Sequence, residues 1–329
     1  MNASTQTLTT NSTLTSAQRW DHILARLGHR RGDHRVTPGL YTLGSPTPEA
    51  PVFVTGNYTL SFDALRAALH GVDGYILVLD TDGINVWCAA GKGTFGTEEV
   101  VRRVKACGLR DVVAHRRLIL PQLGAPGVAA HEVKRQTGFA VTYGPVRAAD
   151  LPAYLETKRV TPAMRRVRFS LRDRLVLIPI EVRHILLPML GAAVLLWVLA
   201  GPLAALAAVS AVLAGAVLFP ILLPWLPARD FSAKGFILGA VIALVFAVLS
   251  WTEPGETAVG LRLAWALAYL LALPPVTAYL ALNFTGATPF TSRTGVKREM
   301  ETYIRPMAVL FASGAVLALG SILYSWLAG

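Results

Sequence analysis

The chain has 329 residues, is 53% hydrophobic, and carries a formal net charge of +11 with only two cysteines. That length suits about two domains, and two cysteines exclude a cysteine-ligated iron–sulfur cluster. Most of the charge lies in residues 1–183, while 184–329 hold long apolar runs, the pattern of a soluble domain followed by a membrane domain.

Residues 1–17 are rich in Ser, Thr and Asn and have no apolar core, so they read as a disordered tail and not as a signal peptide. From 18 to 160, β-rich runs alternate with helical ones. Val52–Thr55 precedes a helix over Ser61–Leu69, and the strand-like run Gly74–Asp80 precedes Asn85–Lys92. Thr97–Cys107 has a full set of helix signals. Thr97 is a candidate N-cap, Glu98 and Glu99 suit the first turn, Arg102, Arg103 and Lys105 suit the later part, and Gly108 ends it. Cys107, in its last turn, reads as structural. Further β-like runs at Val112–Ala114, Leu118–Leu120 and Ala140–Tyr143 flank a helix near Ala129–Gln136. Strands alternating with helices predict a Rossmann-like α/β domain with a mostly parallel sheet. Its ligand is expected beyond the carboxyl ends of the strands, at Thr55-Gly56-Asn57, Asp80-Thr81, Pro121-Gln122-Leu123-Gly124 and Tyr143-Gly144-Pro145. No GxGxxG or Walker A sequence is present, which argues against a dinucleotide or nucleoside triphosphate.

A basic juxtamembrane linker follows at 161–183, and then a membrane domain at 184–329. Five runs are long enough to span a bilayer: about 184–201, 203–227, 235–251, 261–282 and 305–328. Pro220 and Pro224 are expected to kink or end the second. None carries Asp, Glu, Lys or Arg in its middle, which argues against an ion pathway. Arg165, Arg166, Arg168, Arg172, Arg174 and Arg183 precede the first span. Arg229 and Lys234 follow the second, and Arg293, Lys297, Arg298 and Arg305 follow the fourth. The positive-inside rule then predicts a multi-pass protein of the inner (cytoplasmic) membrane, with the N-terminal domain cytoplasmic and the C-terminus outside. These basic residues suit anionic lipid headgroups. They lack the interleaved aromatics of a nucleic-acid surface.

The segment Asn85-Val86-Trp87-Cys88-Ala89-Ala90-Gly91-Lys92 carries one of the two thiols among small residues. A lone thiol cannot be half of a chelating pair. Two readings stand for Cys88: a buried structural cysteine, or a single axial ligand or nucleophile offered to something flat, with Ala89, Ala90 and Gly91 clearing the approach. Asn85 is either a turn residue after Asp82-Gly83 or a ligand-orienting amide. Trp87 is either core or one wall of a pocket, and Lys92 is either a solvated charge or a ligand contact.

Several stretches together resemble a known family. They are GNYT at 56–59, GYILVLD at 74–80, residues 85–97, LILPQLGAPG at 118–127, YGP at 143–145 and NFTGATPFTSRTGVKREM at 283–300. They are similar to the corrinoid protein of the bacterial and archaeal mercury-methylation pair, whose cobalamin domain is related to the large subunit of the corrinoid iron–sulfur protein. The resemblance implies that residues 18–160 bind cobalamin or a related corrinoid with its own base displaced. Cys88 would be the lower axial ligand to cobalt, as a thiolate that Lys92 or a local helix N-terminus would favour. It implies a cofactor surface made of Thr55, Asn57, Asn85, Val86, Trp87, Cys88, Ala89, Ala90, Gly91, Lys92, Gln122, Gly124 and Tyr143. The activity implied is methyl transfer to Hg(II) as a carbanion equivalent, the acceptor being a soft metal centre. The DxHxxG histidine motif of other cobalamin proteins is missing, since His115 and His131 do not fall in that pattern. The implied partners are a ferredoxin-like protein with two 4Fe–4S clusters, as electron donor and Hg(II) supplier, and a methyl-folate-dependent methyl donor. The 283–305 loop, with Thr285, Thr288 and Thr291, is expected to dock the cobalamin domain or to be a plain polar connector. Two alternatives stand beside mercury methylation: a membrane-attached methyl carrier with another acceptor, and a non-catalytic corrinoid-binding module.

Overall fold

The alternating runs become a six-stranded sheet in the computed structural model, which describes residues 7–30, 32–252, 258–287 and 293–328. The chain divides into two units, 1–168 and 169–329. In the first, the elements are β1 (Leu8–Thr10), α1 (Ser16–Arg26), β2 (Gly39–Leu43), β3 (Val52–Gly56), α2 (Thr59–Ala68), β4 (Gly74–Leu79), α3 (Val86–Lys92), α4 (Thr97–Ala106), α5 (Leu109–Val112), β5 (Arg117–Leu120), α6 (Ala130–Thr137), β6 (Ala140–Tyr143) and α7 (Leu151–Thr157).

The strand order is β1-β2-β4-β3-β5-β6. β3 to β6 are parallel, while β2 runs antiparallel to β4 and carries β1 alongside it. Every residue of β4 is buried, as expected of a central strand covered on both faces. Its side chains alternate. Tyr75, Leu77 and Leu79 join a core with Val100, Val104 and Val133, whereas Ile76 and Val78 join Phe62, Leu65 and Tyr154 on the other face.

Residues 7–17 correct the expectation of a disordered tail at 1–17, the first six positions of which lie outside the described residues. β1 pairs with β2 in the register Leu8 to Tyr41, and Thr15 and Gln18 form a reciprocal capping box at the start of α1. The holding group is Arg66, with only 2% of its side chain exposed and Nε donating to Asp63 Oδ1 at 2.6 Å. Its Nη1 donates to the backbone carbonyls of Asn11 (2.6 Å) and Thr13 (2.9 Å). A buried guanidinium has no water to turn to, so it recruits a polar segment that composition alone marks as loose.

Other differences are local. Val112–Ala114 is not a strand, because Leu109–Val112 closes a helical turn and Ala114 N–H donates to Pro48 O. Gly96, not Thr97, caps α4, and the Thr97 hydroxyl instead accepts the Ala129 N–H at 2.8 Å. β2 was not anticipated.

The second unit holds α8 (Leu171–Leu175), α9 (Ile178–Ala200), α10 (Pro202–Leu213), α11 (Phe219–Leu222), α12 (Phe231–Thr252), α13 (Val259–Asn283) and α14 (Arg293–Ala328). Five helical segments among the described residues are long and apolar enough to cross a membrane. The second breaks as its prolines predict. A π turn at Ala214–Leu218 precedes Pro220, whose ring removes a backbone donor. Carbonyls exposed at that broken end accept from cations: Arg174 Nη1 reaches Pro220 O (2.9 Å) and Ile221 O (2.6 Å), and Lys234 Nζ reaches Leu223 O (2.8 Å). α12 and α13 meet closely. A Cβ at Gly235 would lie 2.6 Å from Ala278 Cα, and one at Gly239 would lie 2.7 Å from Pro274 Cα, the small-residue contact common between membrane helices. The expected 283–305 loop is mostly helical, since α13 runs to Asn283, a 3₁₀ turn follows at Phe284–Ala287, and α14 begins at Arg293. Thr285 is buried and its hydroxyl donates to Leu282 O, as a helix-end residue does. Thr288 and Thr291 lie outside the described residues.

Replacing Arg66 by Met is expected to leave buried Asp63 with His22 as its remaining partner and the Asn11 and Thr13 carbonyls without their donor. Protection of β1 and α1 in native-state hydrogen exchange should fall by about 3–5 kcal/mol, well beyond any loss in β4. Unchanged exchange at Leu8–Thr10 would contradict the role given to Arg66.

Candidate functional site

β3 connects through α2 towards β4, and β5 connects through α6 towards β6, in the opposite direction and on the other face. The strands pair only at Phe53 and Ile119, and beyond that point they part. This is a topological switch point, where open α/β sheets bind ligands. A cleft of about 240 Å³ lies there, walled by Thr55, Ser61, Leu65, Asn85, Val86 and Trp87 among others.

The approach to the cleft is fixed by Asn57, which is 3% exposed. Its Oδ1 accepts the Thr81 N–H (3.0 Å) and the Gly83 N–H (3.0 Å) and lies 2.9 Å from the Thr81 hydroxyl, while its Nδ2 donates to Asp80 Oδ1 at 3.1 Å. Glu99 at the start of α4 accepts the Asp80 N–H at 2.8 Å. The loop so held ends at Asn85, whose Oδ1 accepts the Cys88 N–H at 2.9 Å and caps α3.

α3 is therefore two-faced. Val86, Ala89 and Ala90 are buried, whereas Asn85, Gly91 and Lys92 are exposed, with Trp87 and Cys88 half-buried. Ala89 and Ala90 thus do not clear space for a ligand. They pack into the core with Phe95, under the 121–128 segment. The contact is tight: a Cβ on Gly127 would lie 3.0 Å from Ala90 Cα and one on Gly124 would lie 2.5 Å from the Phe95 ring. Small residues serve backbone approach here, and the face left open carries Cys88.

Of the residues expected to form the binding surface, Thr55, Asn85, Val86 and Trp87 line the cleft, and Cys88 is the next residue of the same turn. Lys92 sits in the last turn of α3. Asn57 is a loop anchor. Gln122 Oε1 accepts from Arg165 Nη1 at 2.7 Å, tying the basic segment to the end of β5. Gly124 is buried against Phe95, and the Tyr143 hydroxyl donates to Val128 O at 2.5 Å, with burial pushing its pKa up. Sequence reading missed the α2 wall, Ser61, Ala64 and Leu65, together with Ala148 and Leu151, which share its core cluster. Only the strand order reveals them.

Cys107 lies in the core and burial holds its thiol above the ordinary range. His115 is structural, with Nε2 2.9 Å from Ala50 O and Nδ1 accepting the Arg117 N–H. Among the described residues no cluster of three or more His, Cys, Asp or Glu is placed to chelate a bare metal ion.

Comparison with known proteins falls on this unit. Residues 29–155 match the family model described as CO dehydrogenase/acetyl-CoA synthase delta subunit. The chain is similar to the acetyl-CoA decarbonylase/synthase complex subunit gamma of Methanopyrus kandleri, 34% identical over 128 residues, which are 38% of this chain and 27% of that protein. It is also similar to the subunit of the same name from Archaeoglobus fulgidus, at 32% over 124 residues (37% and 26%). The corrinoid/iron-sulfur protein large subunit of Moorella thermoacetica is 29% identical over 143 residues (41% and 32%). The chain therefore spans between a quarter and a third of the length of these relatives. The family match ends before the apolar helices begin.

Asn57→Ala should orphan two buried backbone N–H groups and cost about 1–3 kcal/mol. Thermal denaturation and faster hydrogen exchange at Thr81 and Gly83 would read this out. In mildly alkaline solution, iodoacetamide should modify Cys88 well before Cys107. Burial raises the Cys107 pKa, so less of it is thiolate at any given pH. Peptide mapping gives the order, and equal rates would place Cys107 outside the core.

Proposed function

We propose that residues 1–168 bind a corrinoid and that Cys88 is its protein-supplied cobalt ligand, in a membrane-attached methyltransferase whose acceptor is Hg(II). The observation that carries this is a single half-exposed thiol on the open face of a capped helix, beside a switch-point cleft. Similarity to the corrinoid/iron-sulfur protein large subunit supports it. The donor set fits such a cofactor. A bare ion would require several protein ligands, whereas a corrinoid would bring most of the ligands of its own metal, so that Cys88 alone could serve as the protein-supplied one. When bound, the corrinoid supplies a cobalt centre that carries and releases a methyl group.

The chain's own residues would do the rest. The Asn85 cap and the Asn57-anchored loop fix where the thiol stands. Trp87 and Val86, with Thr55 and the α2 wall, offer the apolar cover that the displaced base of the cofactor needs. The exposed Lys92, one turn after Cys88, brings a cation to the same face. A thiolate is a strongly electron-donating ligand, which favours release of methyl as a carbanion equivalent to a soft acceptor such as Hg(II). Release in this sense would take the bonding pair away with the methyl, so two electrons would have to be supplied before the cofactor could accept another methyl cation. A chain with two cysteines has no cluster of its own to supply them, so a ferredoxin-like partner with two 4Fe–4S clusters is part of the proposal. A methyl-folate-dependent donor completes it. The positive-inside pattern supports a cytoplasmic position for the site.

The names of the relatives favour one second reading: a membrane-attached methyl carrier of one-carbon metabolism whose acceptor is not mercury. The same site residues serve both.

Full-length protein reconstituted with cob(III)alamin should show a base-off, thiolate-ligated visible spectrum that Cys88→Ala abolishes. With a low-potential ferredoxin and a methyl donor it should then convert Hg(II) to methylmercury, and the variant should lose nearly all turnover. A wild-type spectrum indifferent to the substitution would overturn the axial role. Corrinoid binding with methyl transfer to other acceptors but never to Hg(II) would favour the second reading.

A further inference from the structure

Helix α1 is built with its apolar face outward. Two of its polar residues turn into the unit: Asp21 Oδ1 lies 2.8 Å from His34 Nδ1, and His22 Nε2 lies 2.7 Å from Asp63 Oδ2. Ala25 is the one buried residue of the helix. On the opposite side Trp20 is 60% exposed and Ile23 46%, and Leu27 continues the stripe. At the helical period, Trp20, Ile23, Leu24 and Leu27 fall within an arc of about 100°. Arg19 and Arg26 flank one edge of that arc, with Arg30 just beyond the helix, and all three are exposed. A helix of a soluble domain shows the reverse arrangement, apolar inward and charged outward.

The chemistry of the stripe selects its occupant. Trp with aliphatic neighbours and flanking Arg suits a water–acyl boundary, where rings and stems sit among headgroups while guanidinium groups meet phosphates. The only carboxylate on α1, Asp21, is turned away to His34, so the outward face is purely cationic and complementary to an anionic surface. Five helices among the described residues are long and apolar enough to cross a membrane, so a chain tethered by them would share its surroundings with such a surface. We propose that α1 is an in-plane anchor, lying on anionic phospholipid with Trp20 and Ile23 immersed at the headgroup–acyl boundary. This rests on the membrane reading of the C-terminal helices and not on the corrinoid site.

The test uses the full chain in nanodiscs of phosphatidylglycerol with bromine on the acyl chains. The contribution of Trp20 is the difference between wild type and Trp20→Phe. That contribution should be largely quenched by bromine. It should recover in high salt or in zwitterionic discs, where the attraction is screened or absent, and it should recover in the Ile23→Glu variant. Both substituted side chains are exposed, so the fold should persist. Trp20 emission indifferent to bromine overturns the proposal. So does emission that is blue-shifted yet unquenched, which would place protein, from a second copy or another surface, against the stripe. Quenching unaffected by salt and by lipid charge overturns the electrostatic selection. If the chain stays in solution without detergent or disc, the membrane reading fails first, and this result is separable from all the others.

Discussion

A carboxamide buried in a protein has two lone pairs and two N–H bonds to satisfy, and no water with which to do it. Asn57 places its oxygen and one of its N–H bonds within a single loop, and the placement of α3 follows. Its oxygen gathers the backbone of Thr81 and Gly83 and its nitrogen takes Asp80, so the chain leaving β4 has one path to Asn85. Asn85 then caps the helix whose third residue is Cys88. Position is thus passed from the end of one central strand to a thiol by two asparagine side chains hydrogen-bonded to the backbone. Glu99 reinforces it from α4, binding the Asp80 N–H while paired with Arg102 and Arg103.

The alternation of elements and the parallel sheet were legible in the sequence because they depend on local periodicity. The runs 52–56, 74–79 and 140–143 needed no tertiary context. Two things were not legible, and both are long-range. The order of N-terminal residues depends on Arg66, 55 positions from Asn11 along the chain, which composition cannot see. The packing of Ala89 and Ala90 against the 121–128 segment was the other. Small residues in a motif mark close approach, but only the fold shows that what approaches is the 121–128 backbone. Cys88, Asn85, Trp87 and Thr55 were found in sequence as neighbours of strand ends. The opposite wall, on α2 and at Ala148 and Leu151, required the strand order.

The C-terminal unit solves a different problem with the same logic. Water cannot reach the carbonyls freed where the second membrane-length helix breaks, so cations from elsewhere in the chain do. Arg174 and Lys234 were counted in sequence only as orientation signals. They also close the end of a proline-interrupted helix, and Arg174 stacks on Trp225 as it does so. The basic residues flanking such spans therefore include internal ligands as well as lipid-facing charges.

The separation of the two thiols carries a redox consequence. Cys107 is enclosed by the core that contains Val101 and Val104, and Cys88 sits half open on the far side of that core's covering helix. A cysteine oxidised to the sulfenic acid is normally rescued by a neighbouring thiol that condenses with it, but this chain has none to offer without unfolding. Oxidation of Cys88 would run on towards the sulfinic acid, which ordinary thiols do not reduce. Only a thiol from outside the chain, arriving before that second step, would return Cys88 to its reduced form.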